Sequence, residues 1–183
     1  GLPENQIMGS GTILDTARLR YGLSEHFQVA QGNIHAYVFG EHGDTSFIPW
    51  TGAYISGLST DEYYEEMKAH GKDVKPLDKE AMLEYVQKSG GKVIAKKGAT
   101  FYAVSATVCQ LVGLILAASD SLATVSSMLH GEYGIEDISL SVPTQVSGYG
   151  VERILDVPFN ETELQGLRSS AKTLKDSLKS IGF

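Results

Sequence analysis

A histidine stands between glycines just past a predicted strand, in the run Gly-Glu-His-Gly-Asp over residues 40–44. The imidazole of His42 has an ordinary pKa of about 6.5, so it can give or take a proton close to neutral pH. The flanking glycines let the backbone turn sharply and leave the ring accessible. His42 is therefore a candidate general acid/base. The alternative interpretation is a loop histidine that only forms a hydrogen bond to Glu41 or Asp44.

The carboxylates beside His42 raise the question of a metal site. Glu41, His42 and Asp44 together offer oxygen and nitrogen ligands. The closely spaced pairs of histidines or cysteines that usually complete such a site are absent from the sequence. We therefore expect no metal.

A second pair of candidates lies in the first predicted helix. Asp15 and Arg18 are three residues apart and so share one face of that helix. The simpler interpretation is a helix-capping aspartate that forms a surface ion pair. Their neighbours are apolar, however, which favours partial burial. A partly buried carboxylate raises the pKa of a neighbouring histidine, and a partly buried guanidinium presents a planar fork to a substrate carboxylate.

Arg20 and His35 form a further cationic pair. Arg20 follows Arg18 by two residues, which is about 200° around a helix, so the two side chains face different ways. Neither residue four positions from Arg20 is acidic. His35 begins the predicted strand that leads to His42. On the pattern alone, Arg20 and His35 are solvated surface groups.

The hydrophobic periodicity predicts the elements that position these residues. The first helix begins near a capping box of Thr12 and Asp15, and the last is capped by Asn160 with Glu163. A glycine pair at 90–91 predicts a break in the third helix. Helices are predicted over 9–27, 61–70, 79–97, 101–119 and 161–181, and strand-rich segments over 35–39, 123–130 and 138–146. Helices followed by an antiparallel meander and a final helix indicate an α+β fold.

The composition is that of one globular domain. The chain has 183 residues and a mass of 19.7 kDa, with 42% apolar residues. Its net charge of −7 makes nucleic acid or an anionic membrane surface a poor partner. No apolar run is long enough to span a membrane. The single cysteine, Cys109, excludes an intrachain disulfide, fits a reducing compartment, and is expected to be an inert core thiol.

Taken together, these segments resemble the C-terminal half of the L-lactate dehydrogenases, in the lactate/malate dehydrogenase superfamily. Residues 9–20 are similar to that family's substrate-binding helix, 40–45 to its catalytic-histidine loop, and 97–100 to its substrate-pocket loop. The match continues to the last helix and covers essentially all 183 residues. Glu41 favours the lactate or 2-hydroxyisocaproate branch, because the related malate dehydrogenases usually have glycine there.

The resemblance implies a role for each matching residue. It implies that His42 is the proton donor/acceptor and that Asp15 orients it. Arg18 would clamp the substrate carboxylate, and Thr100 would line the pocket. The resemblance also implies that Ser10 lies near the nicotinamide of the cofactor. Arg20 and His35 would bind the allosteric effector fructose 1,6-bisphosphate.

The resemblance also implies a longer protein. The chain contains no Gly-x-Gly-x-x-Gly run, no ribose-binding acid and no loop with a second catalytic arginine. We therefore expect residues 1–183 to be the C-terminal substrate and oligomerisation domain. Most of the NAD site would lie in an N-terminal Rossmann domain of about 150 residues that is missing from this chain.

The implied full-length protein is a cytoplasmic homotetramer of glycolysis and fermentation that reduces pyruvate to L-lactate with NADH. The isolated chain would then be inactive. Two alternatives stay open. One is a related L-2-hydroxyacid dehydrogenase that acts on 2-hydroxyisocaproate or malate, and the other is a non-catalytic oligomerisation module.

Overall fold

The computed structural model describes all 183 residues, which form five helices and eight short strands. The helices are α1 (Ile13–Phe27), α2 (Thr60–Ala69), α3 (Lys79–Lys97), α4 (Tyr102–Leu116) and α5 (Glu161–Ser180). The strands are β1 (Ile34–His35), β2 (Tyr54–Ile55), β3 (Leu58–Ser59), β4 (Ser121–Ala123), β5 (Ser126–His130), β6 (Glu136–Ser141), β7 (Thr144–Ser147) and β8 (Gly150–Ile154). This mixture of helices and antiparallel strands confirms the predicted α+β class. None of the helices combines the length and apolar character needed to cross a membrane.

The strands form three small antiparallel sheets, in the orders β1-β2-β3, β4-β7-β8 and β5-β6. Tight turns connect neighbouring strands at the predicted glycine-rich positions, between β5 and β6 and between β7 and β8. Gly131 has a φ of +123°, a conformation that favours glycine. Pro143 lies in the link where the chain leaves one sheet and enters another, so its missing N–H disturbs neither ladder.

Three apolar clusters hold these elements together, and the smallest of them packs α4 on β7 through Leu111 and Val146. The largest one packs α1 against α3 and against the chain that leads to His42, through fully buried side chains such as Leu19, Leu23 and Val86. The second packs α5 on β5 and β6 through Leu167 and Ala171. Burial of several large apolar side chains in each cluster supplies most of the stabilisation, at about 1.5–3 kcal/mol for each.

Most helix boundaries agree with the prediction. The predicted cap of α1 and the predicted break in α3 do not. The capping box predicted at Thr12 is wrong, because the Thr12 hydroxyl donates to the carbonyl of Val38 and Asp15 bonds to other side chains. The break predicted at 90–91 is also wrong, because α3 continues through both glycines. A glycine inside a helix costs about 1 kcal/mol relative to alanine, and tertiary packing of α3 outweighs that cost.

The predicted strand over 35–39 is only partly formed. His35 pairs with Tyr54 of β2, and the chain then leaves the sheet until Phe39 makes a single bridge to Phe47. The apolar stripe of the last helix is buried at Leu167 but not at its end, where Ile181 is 70% exposed. Hydrophobic periodicity predicts which residues of a helix share a face. It does not show how much of that face other elements of the chain cover.

The prediction that Cys109 is a core thiol is wrong, because Cys109 is exposed. The helix that carries it, α4, buries only Thr107 and Leu111. Leu114 and Ile115 are half-buried, and the remaining apolar side chains are exposed, among them Val104, Val108, Val112 and Leu116. A helix that is apolar all round reads from sequence as a core helix. In this chain, no other element covers most of its surface.

Candidate active site

A cavity of about 310 Å³ lies between α1, the loop 40–46, α3 and the beginning of α4. It brings together four of the seven residues that the sequence singled out for function. These are Asp15, Arg18, His42 and Thr100. The rest of the lining is largely small or apolar.

His42 and Asp15 form the central contact of this cavity. The Nδ1 atom of His42 lies 2.5 Å from Oδ2 of Asp15, and it must donate because a carboxylate only accepts. The Asp15 side chain is 6% exposed, whereas that of His42 is 60% exposed. The bond at Nδ1 leaves Nε2 as the ring nitrogen that can exchange a proton with a ligand.

The same contact changes the acidity of the histidine. The hydrogen bond that His42 donates to Asp15 raises the pKa of the imidazole above its ordinary value of 6.5, and the charges of Asp15 and Glu41 add to this effect. Burial and the nearby Arg18 charge oppose it. The protonated, proton-donating form of His42 therefore persists to a higher pH than that of a free imidazole. The alternative interpretation, a loop histidine bonded only to Glu41 or Asp44, is wrong, because the side-chain partner of His42 is Asp15.

Asp15 also binds Arg18. Its other oxygen, Oδ1, accepts a hydrogen bond from Nη1 of Arg18 at 2.9 Å. The Arg18 side chain is 16% exposed, and it faces the cavity beside His42. Gly90 of α3 lies against it, since a Cβ atom at that position would be 3.7 Å from Nη2. One buried carboxylate thus orients both an acid/base group and a cation toward the same space.

Two threonines whose role was not predicted from the sequence fix α1 relative to the chain that leads to His42. Thr12 donates to the carbonyl of Val38, and the Val38 amide donates to Thr16 Oγ1 at 3.0 Å. Both peptide groups of the strand-like segment are therefore held by one face of α1. The only signal in the sequence was that the two threonines are four residues apart and so share one face of the helix.

The loop that carries His42 is held on its far side by β6 and α5. Gly40 exchanges two backbone hydrogen bonds with Ser141, and Ser170 of α5 donates to the carbonyl of Thr45 at 2.7 Å. Gly40 has a φ of +91°, and a Cβ there would lie 2.4 Å from the Ser170 hydroxyl. Only glycine fits this position without displacing α5.

The remaining candidates lie elsewhere. Ser10 precedes α1, half-buried, and does not line the cavity. Arg20 donates from Nε to the carbonyl of Ala36 at 3.0 Å, and its guanidinium lies 4.8 Å from the ring centre of Tyr37. His35 is exposed in β1, one residue from that carbonyl. Arg20 and Arg18 therefore face different cavities, as the helix geometry predicts.

No group of three or more histidine, cysteine, aspartate or glutamate side chains is arranged to hold a metal ion. The carboxylate of Glu41, the nearest acidic neighbour of His42 in sequence, accepts a hydrogen bond from the Thr45 hydroxyl. That contact lies within the loop and orders it.

The fold and the cavity define a domain of helices and antiparallel strands in which a hydrogen-bonded histidine–aspartate pair lies beside an arginine. The family model for the lactate/malate dehydrogenase alpha/beta C-terminal domain matches residues 12–182. The chain belongs to this family.

Known proteins are similar over the whole chain. L-lactate dehydrogenase of Acetivibrio thermocellus is 45% identical over 181 residues, which is 99% of this chain and 56% of that protein. L-lactate dehydrogenase 1 of Clostridium acetobutylicum is also 45% identical, and the match covers 57% of it. The chain therefore spans a little over half the length of these curated relatives.

Solved structures give the same result. An L-lactate dehydrogenase from Clostridium thermocellum superposes with a TM-score of 0.88 at 34% identity, over 100% of this chain and 58% of that one. A lactate dehydrogenase from a deep-sea metagenome library of the Medee basin superposes with a TM-score of 0.91 at 29% identity, over 100% and 57%. These matches confirm the predicted family and the predicted fold.

Proposed function

We propose that this chain is the substrate-binding and catalytic domain of an NAD-dependent L-lactate dehydrogenase that reduces pyruvate to L-lactate. The observation that carries the proposal is the shared carboxylate of Asp15, which orients His42 and Arg18 toward one cavity. A 2-oxo acid presents a carboxylate and a keto oxygen to such a pair. The names of the similar proteins support lactate as the product.

His42 performs the acid/base step in this proposal. Protonated His42 donates a proton from Nε2 to the keto oxygen of pyruvate, while Asp15 holds Nδ1 and stabilises the charged ring. In the reverse direction, neutral His42 accepts the proton from the hydroxyl of lactate. The raised pKa of His42 favours the form that reduction needs.

Arg18 binds the substrate carboxylate. Its Nη1 atom is bonded to Asp15, which fixes the plane of the guanidinium, and its remaining N–H groups are free to form charge-assisted bonds to an anion. Thr100, in the link between α3 and α4, lines the same cavity and contributes to the pocket. In this proposal, a substrate whose carboxylate is bound by Arg18 has its keto carbon beside His42.

In this proposal, these 183 residues hold only part of the site for the nicotinamide cofactor. None of the helices begins with the Gly-x-Gly-x-x-Gly turn that binds a pyrophosphate, and Ser10 does not line the cavity. When bound, NADH supplies the hydride of the reaction. We propose that most of its site lies in an N-terminal domain of the full-length protein, that Ser10 lies near the nicotinamide, and that residues 1–183 form the C-terminal domain.

We propose further that fructose 1,6-bisphosphate binds at Arg20 and His35. Arg20 has only neutral partners in the structure, so its charge is available to a phosphate. A ligand with two phosphates needs more charge than one Arg–His pair, and a second subunit related by a two-fold axis would supply it. We propose that the full-length protein is a homotetramer of this kind, located in the cytoplasm and serving glycolysis and fermentation.

The proposal is tested by adding NADH and pyruvate to the full-length protein and to the isolated chain, and by following the absorbance of NADH. We expect turnover with the full-length protein and none with the isolated chain. Oxaloacetate and 2-oxoisocaproate serve as competing substrates, and a preference for either would replace lactate by the corresponding hydroxy acid. A full-length protein that reduces none of them and only assembles would favour the oligomerisation module.

A further inference from the structure

Gln87 lies on the cavity side of α3, and its hydrogen bonds go to the backbone of the His42 loop. Its side-chain nitrogen Nε2 donates to the carbonyl oxygens of Asp44 and Ser46, both at 3.0 Å, and lies 3.4 Å from the Ser46 hydroxyl. A primary amide has two N–H groups. Both are therefore matched by carbonyls two residues apart in one loop.

This contact is the link between α3 and the loop. The other attachments of the loop come from elsewhere, namely from β6 at Gly40, from α5 at Thr45 and from α1 through the His42–Asp15 bond. Among the hydrogen bonds in the structure, no other side chain of α3 reaches residues 40–46. Removal of Gln87 would leave the cavity side of the loop attached only through the catalytic histidine itself.

The position of Gln87 is itself well determined. The preceding residue, Val86, is fully buried in the largest apolar cluster, where α3 packs against α1. The same helix places Gly90 against the guanidinium of Arg18. A half-buried amide on a helix anchored in this way is a fixed reference point for a loop whose histidine side chain is 60% exposed.

We propose that Gln87 is a positioning residue for the acid/base step, because its amide clamps the carbonyls of Asp44 and Ser46 and thereby keeps the ring of His42 against Asp15. This inference rests on the proposed function. Both N–H groups of Gln87 are used by the carbonyls of the loop, so its effect on the reaction passes through the loop. A small displacement of a catalytic group lowers the reaction rate, because the reacting atoms must be aligned.

The test compares three variants in the full-length protein. Gln87→Met keeps the length of the side chain and removes its donors, whereas Gln87→Glu replaces the donors by acceptors that face two carbonyls. Gln165→Met, an exposed position on α5, is the matched control. The readouts are kcat and KM for pyruvate, the pH profile, the thermal midpoint, and an NMR titration of the His42 ring.

We expect Gln87→Met to lower kcat about tenfold or more, with a smaller change in KM. The loosened bond to Asp15 should move the His42 titration toward lower pH, and Gln87→Glu should have the larger effect on both quantities. Gln165→Met should match the parent protein. If the His42 titration in Gln87→Met stays at its parental pH, the proposal is overturned, whatever happens to stability.

The NMR titration separates this inference from the proposed function. If the full-length protein reduces no 2-oxo acid, the proposed function fails. A shifted His42 titration in Gln87→Met would still show that the amide holds the ring against Asp15, and an unshifted one would reject that role.

Discussion

Arg18 and Arg20 are the same residue type on the same helix, two positions apart. Their hydrogen-bond partners and the cavities that they face are different. Arg18 is bonded to a buried carboxylate and faces the cavity of His42. Arg20 is bonded to a backbone carbonyl, lies over the ring of Tyr37 and faces a separate small cavity. The first guanidinium is held by a neighbouring charge, and the second keeps a charge that no carboxylate neutralises.

Helix geometry explains the separation. Two residues correspond to about 200° of rotation, so the side chains of Arg18 and Arg20 point to nearly opposite sides of α1. Leu19 lies between them in sequence and is fully buried in the largest apolar cluster. Residue type alone therefore does not decide the role of an arginine, because the direction of its side chain selects its partners.

The strongest test of the Arg18 side is Asp15→Asn. The amide keeps the shape of the carboxylate but removes the charge that both His42 and Arg18 need. We expect kcat for pyruvate reduction to fall by about 10² or more, since positioned acid/base catalysis contributes about 10²–10⁴. We also expect the pKa of His42, which Asp15 raises, to move down, so that the limb of the pH profile shifts to lower pH.

Steady-state rates of the full-length protein between about pH 5.5 and about pH 8.5, a range that spans the histidine region, would measure both effects. Asp176→Asn, at an exposed position of α5, is the matched control. An unchanged pH profile in Asp15→Asn would mean that the contact in the structure does not govern His42.

The next largest effect is expected for Arg18→Lys. Lysine keeps the charge but cannot form two parallel bonds to a carboxylate. We expect the transition-state stabilisation that kcat/KM for pyruvate reports to fall by about 2–4 kcal/mol. This range is the contribution of charge-assisted hydrogen bonds. Arg168→Lys on the surface of α5 serves as the control. A loss below about tenfold, or about 1.4 kcal/mol, would show that Arg18 does not clamp the substrate.

The Arg20 side is tested by adding fructose 1,6-bisphosphate to the full-length protein. We expect the bisphosphate to lower the KM for pyruvate, with a coupling of about 1–3 kcal/mol. Arg20 contributes a charge that no carboxylate neutralises, and His35 lies one residue from the carbonyl that Arg20 binds.

His35→Ala should weaken that response, and His70→Ala, at another exposed histidine, should leave it unchanged. If the enzyme ignores the bisphosphate, Arg20 and His35 are ordinary surface groups. The contrast between the two arginines would then be one of packing and not of function.

The smallest effect concerns the helix that covers Arg18. Gly91→Ala should raise the free energy of unfolding by about 0.5–1 kcal/mol, because alanine favours a helix and a Cβ at Gly91 meets nothing within 4 Å. Urea unfolding of the full-length protein would measure this change. A lower midpoint would mean that α3 needs the break that the glycine pair predicted from sequence.

Features that depend on neighbours in the chain were predictable. Asp15 and Arg18 share a face because three residues make most of a helical turn, and the capping box of Asn160 and Glu163 is present. The bounds predicted for the third helix agree with α3, from Lys79 to Lys97. In each case the interactions lie within one turn of helix, so the local sequence contains all the information that they need.

Features that depend on packing between distant elements were not predictable. Thr12 was assigned to a cap and instead holds Val38, and Gln87 gave no signal at all. Cys109 was assigned to the core because its helix is apolar, but no element of this chain covers it. Apolar character predicts that a surface should be buried and does not show what buries it.

The sequence by itself determined which residues can do chemistry and on which side of α1 they point, because residue type and helical spacing are local properties. Only the tertiary structure decided that His42 lies within hydrogen-bond distance of Asp15. The two residues are 27 positions apart in the chain, and Nδ1 of His42 lies 2.5 Å from Oδ2 of Asp15. That contact depends on buried apolar side chains that pack α1 against the chain leading to the loop. Such packing selects one arrangement from many that the local pattern allows.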